Sequence, residues 1–272
     1  MKYKDIVISV SCYDNENEIV DFAKQLLEQR ESDKIVLLVC CNKCDNIELF
    51  KLNLLKMHIN VEVFEPEDNL GYLNGGLYAL KTSKYVYKWA IICNTDLTFP
   101  ENDFFERILS TKYSNDIWMI APNIIRLSNG VRQNPFQLRR LSDKKMRFLC
   151  GIYNHELTYC IYFWISSVKR KIIKNEVPHI CSQNIYAADG SCFIMKKEFI
   201  SEIQKIDNNI FMYGEEIFLA EIINTKKKYV YFDENINLIH NENATTKYIH
   251  NRQKYLWFKQ SFSYIYKYFY EE

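Results

Sequence analysis

The stretch 89-WAIICNTDLTFP-100 decides how the rest of the chain reads. Trp89 to Cys93 is a short apolar run of β-prone residues, the pattern of a strand buried in a sheet. The polar triplet Asn94-Thr95-Asp96 interrupts it before the chain turns apolar again, and a sheet core alone gives no reason for that triplet. Working outward, the first hundred residues alternate strand-like and helix-like segments. Ile6–Ser11 reads as a strand, Glu16 to about Arg30 as a helix, Lys34–Cys41 as a strand, Asp45–Lys56 as a helix, and Val61–Phe64 as a strand before Trp89–Cys93. Such alternation predicts an α/β fold with a Rossmann-like, mostly parallel central sheet flanked by helices and right-handed crossovers. Ligands of such sheets bind beyond the carboxyl ends of the strands. The informative positions are therefore Cys12-Tyr13-Asp14-Asn15, Cys41-Asn42-Lys43, Glu65 to Asn69, and the triplet itself.

Bulk composition narrows the function class. The 272 residues are 48% hydrophobic, ample for one large α/β unit or two intimate subdomains. With 35 basic and 34 acidic residues the net charge is +1, so no overall field draws nucleic acid. No long apolar segment precedes the first strand, and no later run approaches the roughly 18 apolar residues of a spanning helix; a cytoplasmic protein is expected. Nine cysteines, among them Cys93, Cys150, Cys160 and Cys192 in apolar surroundings, are expected as reduced core thiols.

After Pro100 the alternation loosens. Residues 122–178 carry Arg126, Arg132, Arg139, Arg140 and many aromatics without a clean period, and are expected to form helices and loops facing a substrate. Order returns at 186-YAADGSCFIMKKEF-199, read as loop, buried strand and helix start. In 211-FMYGEEIFLAEI-222, Gly214 precedes a helix that opens with two carboxylates, the end where acidic residues suit the macrodipole. Tyr229–Phe232 and Asn237–Ile239 read as two short strands ending at His240, and the tail from about Thr246 as a long aromatic helix.

Taken singly, these residues have structural readings. Asp96 after a strand serves as a turn or capping residue, His240 as a buried polar group, and Glu215 and Glu216 as helix-end carboxylates. The loop 68-DNLGYLNGGLYAL-80 places Gly71, Gly75 and Gly76 where a chain turns tightly or closely approaches a ligand, ahead of a helix whose free amides can face an anion. The ordered set says more. Ser11-Cys12-Tyr13-Asp14-Asn15, Asn69-Leu70-Gly71-Tyr72 with Gly75-Gly76, Asn94-Thr95-Asp96, Gly190-Ser191, Tyr213-Gly214-Glu215-Glu216 and His240 together resemble the family 2 glycosyltransferases of the GT-A fold. The resemblance spans residues 6 to about 246 and is nearest to bacterial enzymes of the rhamnosyltransferase-like branch that build surface polysaccharides such as capsule and O-antigen.

The resemblance implies a metal-dependent inverting enzyme moving a sugar from a UDP-, GDP- or dTDP-linked donor to a glycan or lipid-linked glycan. Residues 1–245 would be the catalytic domain, with 1–97 as the nucleotide-binding half and 98–245 as the acceptor half, followed by a helical tail over 246–272. The triplet corresponds to the family's Asp-x-Asp motif, so Asp96 would hold Mg²⁺ or Mn²⁺ against the donor diphosphate, with His240 as a second ligand. Asn94 departs from the acidic form of that motif. Glu216, or its neighbour Glu215, would be the base that takes the acceptor proton. Ser11, Tyr13, Asn15, Asn42, Asn69 and Gly71 would line the nucleotide, and Asp189 the donor sugar or acceptor. Where relatives carry an acidic residue beside that asparagine, this chain has Cys41.

Two other classes compete. A module that binds nucleotide-sugar or glycan without turnover would keep the same residues. A thioredoxin-like dithiol at Cys41-x-x-Cys44 would leave Asp96, Glu215 and His240 without a role. The tail 254-KYLWFKQSFSYIYKYFYEE-272 mixes aromatics with lysines, compatible with a helix at a membrane surface and equally with packing on the core or in a homodimer.

Overall fold

The computed structural model describes residues 2–172, 180–242 and 251–271. The elements run β1 (Lys2–Tyr3), β2 (Ile6–Tyr13), α1 (Glu16–Leu27), β3 (Ile35–Lys43), α2 (Ile47–Leu55), β4 (Val61–Phe64), α3 (Tyr72–Thr82), β5 (Tyr85–Val86), β6 (Trp89–Cys93), β7 (Leu97–Thr98), α4 (Phe104–Ser110) and β8 (Ile117–Arg126). They continue with α5 (Asp143–Tyr153), α6 (Glu156–Ile172), β9 (Gln183–Ile185), β10 (Cys192–Lys196), α7 (Lys197–Ile203), α8 (Glu215–Thr225), β11 (Tyr229–His240) and α9 (Asn251–Phe269).

Nine strands form the main sheet in the order β4-β3-β2-β6-β10-β8-β11-β7, with β9 added on β11. β2 lies parallel to β3 and β6, and β3 to β4. β10 is antiparallel to both β6 and β8, which restores the common direction for β8 and its parallel partner β11. The sheet is thus mostly parallel, as the alternation predicts. The pleat sorts side chains onto two cores. On β3, Val36, Leu38 and Cys40 face a cluster built with α3, α5, α8 and α9, while Ile35, Leu37, Val39 and Cys41 face one built with α1, α2 and α4.

Several expectations need correction. The paired short strands at 229–232 and 237–239 are one strand, β11, with a register shift between Asp233 and Asn237. The shift lies opposite Pro122 and Asn123 of β8. A proline has no N–H for the ladder, so an interior strand carrying one is expected to meet an irregularity in its partner. β8 itself runs from Ile117 through Pro122 to Arg126, into the stretch expected to form helices and loops. α1 ends at Leu27 rather than near Arg30, and α9 begins at Asn251 among the described residues, with 246–250 lying outside them. The cysteines are not uniformly core thiols: Cys160 is exposed, and Cys41 and Cys44 are bridged.

The aromatic tail packs on the fold. Tyr255, Ser261, Phe262 and Ile265 of α9 are buried, and Tyr153 of α5 meets Phe262 edge-on with ring centres 4.7 Å apart. Its end is fixed by a buried anion. The Glu221 carboxylate accepts from Arg140 Nε at 2.9 Å, from Tyr186 at 2.5 Å and from Tyr270, and the Arg140 guanidinium lies 4.1 Å from the Tyr270 ring centre. Removing one partner of such a group leaves a charge without compensation. Arg140→Ala is expected to lower stability by about 3 kcal/mol, read from chemical denaturation, whereas Glu221→Gln in the same background should recover part of the loss.

Candidate active site

The triplet follows β6, and β7 returns immediately as a two-residue strand antiparallel to the end of β11, pairing Leu97 with His240 and Thr98 with Ile239. That register brings the residue before Leu97 against the last residue of β11. Asp96 Oδ1 lies 3.1 Å from His240 Nε2, with side chains 5% and 12% exposed. On its other edge the imidazole is held by Gln133, whose Oε1 is 2.8 Å from Nδ1. The same amide donates from Nε2 to both oxygens of Asp189 at 3.4 Å, so its oxygen is the end that faces the histidine. Nδ1 therefore carries the proton toward Gln133. In the neutral ring Nε2 then presents a lone pair to a carboxylate oxygen that has no hydrogen-bond donor of its own. Two lone pairs at this distance need a cation or a proton between them. Burial pulls the imidazole pKa down, but the adjacent Asp96 carboxylate outweighs it and holds the ring above its ordinary value.

Around this pair the loops interlock. Asp189 accepts from the Ser191 backbone N–H at 3.0 Å and from its hydroxyl, and its own N–H donates to the buried Asn134 side chain at 2.7 Å. Asn94 N–H donates to the Ser191 carbonyl at 2.9 Å, tying the triplet to the Gly190-Ser191 turn. Thr95 donates to Glu18 and accepts from Asn15 Nδ2 at 3.1 Å, tying it to the start of α1.

α8 supplies the two further carboxylates. Gly214, at φ +94°, lets the chain reverse into the helix, and Glu215 and Glu216 form its first turn. A Cβ on Gly190 would stand 2.7 Å from Glu216 Oε1, so glycine there is what lets that carboxylate lie against the turn next to Asp189. Burial raises the pKa of both glutamates well above the ordinary carboxylate range; for Glu216 the charges of Glu215 and Asp189 add to it. The two groups titrate as a pair.

The structure thus brings together Asp96, His240, Asp189, Glu216 and the buried Glu215, with Asn15 linked through Thr95. The residues expected along the nucleotide form a neighbouring cluster that holds itself together. Ser11 Oγ donates to the Gly71 and Tyr72 carbonyls at 3.3 and 3.1 Å. Asn42 donates to the Gly71 carbonyl at 3.1 Å and accepts from Leu70 N–H at 3.0 Å, and Asn69 accepts from Gly71 N–H at 2.9 Å. Tyr13 is exposed, with Lys43 Nζ 5.4 Å from its ring centre. The glycines have internal reasons. Gly71 sits at φ +76°, and a Cβ on it would lie 2.2 Å from the Phe211 carbonyl oxygen. Gly75 and Gly76 lie inside α3 rather than in the loop, close to Ser11 Oγ and Ile92.

Gln133 and Asn134 escaped the sequence reading, and Tyr72 entered it as part of the glycine motif without a role of its own. Tyr72 OH donates to the Gly190 carbonyl at 2.6 Å and fixes the turn from below. Gln133 and Asn134 lie in the stretch without period, and no spacing marks them.

No protein-family model and no curated protein matches the sequence. Solved structures do: the fold is that of the GT-A glycosyltransferases. A mannosyltransferase from Pyrobaculum calidifontis, solved with GDP-Man and Mn²⁺, superposes over 98% of this chain with a TM-score of 0.60 at 11% identity. GalNAc-T7, solved with UDP, GalNAc and Mn²⁺, superposes over 90% with a TM-score of 0.57 at 13% identity. The chain spans 65% and 44% of the lengths of those two proteins.

Proposed function

We propose that the protein is a divalent-metal-dependent inverting glycosyltransferase that moves a hexose-type sugar from a nucleotide-sugar to a glycan or lipid-linked glycan, in the synthesis of a bacterial surface polysaccharide. The observation that carries this reading is the facing pair of Asp96 Oδ1 and His240 Nε2, a buried carboxylate oxygen without a donor opposite an imidazole nitrogen whose proton is committed to Gln133. One oxygen and one nitrogen, with remaining positions left to water and phosphate, suit Mg²⁺ or Mn²⁺. The two GT-A neighbours solved with Mn²⁺ and nucleotide ligands support the same choice. When bound, the cation offsets the charge that builds on the departing diphosphate.

This chain's own residues do the rest. Glu216, on the Gly190 side of α8, accepts the proton of the acceptor hydroxyl as that oxygen bonds to the anomeric carbon and the bond to the diphosphate breaks from the opposite face. Glu215, 6% exposed, keeps Glu216 basic through its charge. Asp189, fixed by Asn134 and Ser191, orients sugar hydroxyls. Residues 1–97 form the donor half, with Tyr13, Asn15 and Asn94 reaching the nucleotide and Ser11, Asn42, Asn69 and Gly71 holding the turn beneath it. Residues 98–245 form the acceptor half. The protein acts at the cytoplasmic face of the membrane, where lipid-linked acceptors are met. Among the described residues no helix is long and apolar enough to cross a membrane; contact would come from the exposed apolar residues Leu157, Ile161 and Ile165 on α6, since α9 is packed inward.

Isothermal titration with UDP, GDP and dTDP, each with and without Mn²⁺, is expected to show metal-dependent binding of one nucleotide that Asp96→Ala abolishes; binding indifferent to metal and to that substitution would overturn the metal assignment. Glu216→Gln should leave donor binding intact and lower kcat by roughly 10²–10⁴-fold. Because the Glu216 pKa is raised and the base works as the anion, kcat/KM of the native enzyme should rise with pH along a limb lying well above the value of about 4.3 for an ordinary glutamate. Flotation with anionic vesicles should be lost when Leu157 and Ile161 are both changed to Ser; flotation unaffected by that change would remove the membrane contact.

A further inference from the structure

The cysteines at the ends of β2 and β3 have no part in the reaction proposed above. Cys12 and Cys41 are direct register partners on these adjacent parallel strands. Both point to the α1–α2 side of the sheet, whereas Ser11 and Cys40 point to the α3 side. Cys44 follows three residues after Cys41, where the chain leaves the sheet for α2, and turns its sulfur back under the strand ends. Its Sγ lies 3.5 Å from Cys12 Sγ, and the Sγ atoms of Cys12, Cys41 and Cys44 all fall within 4.8 Å of one another. The segment that carries Cys44 is held from both sides. Asp45 N–H donates to Glu16 Oε1 at 2.6 Å, Asn46 caps α2, and Lys43 pairs with Asp14.

We propose that Cys12, Cys41 and Cys44 form a thiolate site for Zn²⁺, distinct from the Asp96–His240 pair and with one coordination position left for water or an external ligand. Soft sulfur donors select zinc over magnesium and manganese, and a closely spaced Cys-x-x-Cys completed by a distant third cysteine is a common zinc arrangement. A Cys41–Cys44 disulfide uses two of the sulfurs and gives the third no reason to stand against them. Outside that pair, Cys12, Cys40, Cys93, Cys150, Cys160 and Cys192 are among the thiols, the pattern of a chain kept reduced. Loading exchanges the S–H bonds for S–Zn bonds and releases the protons to solvent. Zinc loads only the reduced pair: opening the Cys41–Cys44 bridge takes two electrons and two protons from an external dithiol or phosphine, which is oxidised in turn, and the freed thiols then bind the metal. The zinc ties the end of β2 to the β3–α2 connection, which on its other face holds Asn42 against the glycine turn. The site does not depend on glycosyl transfer, so its failure would leave that reading standing.

The test is a Co²⁺ titration of the full chain, stripped with a chelator and kept reduced with a phosphine under nitrogen. The expected result is a thiolate-to-cobalt charge-transfer band that saturates at one equivalent and is displaced by Zn²⁺. Cys44→Ser, at a half-buried loop position where folding is checked by circular dichroism, should abolish the band, as should Cys12→Ser. Cys160→Ser, at an exposed position away from the cluster, and Asp96→Asn should leave it unchanged, which separates this site from the oxygen-nitrogen one. No band in the reduced protein, a band that survives Cys44→Ser, or a chain two mass units light that resists reduction would each overturn the proposal.

Discussion

The short antiparallel pairing of β7 with the end of β11 is the constraint on which the site rests. Only two residue pairs make it, yet it closes the sheet at the point where a carboxylate must be buried beside an imidazole. Burying an isolated carboxylate is costly, and an arrangement of this kind persists only if its charge is met. Here the group that faces it is His240, which meets that charge once a proton or a cation stands between the two, and His240 is in turn oriented by Gln133 and, through it, by Asp189. The backbone reinforces the order, because Asn241 N–H donates to the Asp96 carbonyl at 2.9 Å. A change in any member of this chain shifts the position of the rest. Gln133 is therefore a positioning residue and not a spare contact.

A second dependence runs through the C-terminal helix. The turn that presents Glu215 and Glu216 holds Tyr213 at φ +66°, a left-handed conformation that a bulky residue adopts only when its surroundings demand it. Tyr213 stacks on Phe258 with ring centres 4.5 Å apart and planes 11° from parallel. Ser261 donates to the Met212 carbonyl at 3.1 Å, and a Cβ on Gly214 would already be 3.2 Å from Ile265. Three turns of α9 thus hold the segment that aims the two glutamates. The tail read as a possible surface anchor is a clamp on the turn that carries the two glutamates.

What was legible in the sequence divides along physical lines. β2, β3, β6, β10 and the starts of α1 and α8 were found because local pattern and burial agree there: continuous apolar runs for strands covered on both faces, and acidic first turns for the helices. The triplet, the glutamate pair and His240 were visible because each directly ends or follows such an element. β8 was missed because Pro122 argues against an interior strand, and the compensating shift in β11 lies over a hundred residues away. Gln133, Asn134 and Arg140 were beyond reach for the same reason. Their roles are set by partners at Asp189, His240 and Glu221, brought close only by the tertiary fold. The glycines at 71, 75 and 76 were noticed for the right reason, close approach, but what approaches is this chain's own backbone and side chains.

The acidity of the site links its proposed cation and donor. Asp96, Asp189, Glu215 and Glu216 converge on one end of the sheet, and burial keeps the two glutamates reluctant to ionise. A nucleoside diphosphate brought here alone would add negative charge to a region that already holds it, in surroundings of low polarity that screen little. A divalent cation at Asp96 and His240 reverses that balance, so on the reading proposed above cation and donor each favour the other's binding, with a coupling that must be reciprocal. The same cation raises the electrostatic potential at Glu216 and so eases its ionisation. Donor loading and activation of the base are then consequences of one charge, and this gives Asn94 a physical rationale. A second carboxylate in the triplet would strengthen metal binding by itself but would hold Glu216 protonated to still higher pH. With an amide in its place, the cleft relies more on the donor to recruit the cation.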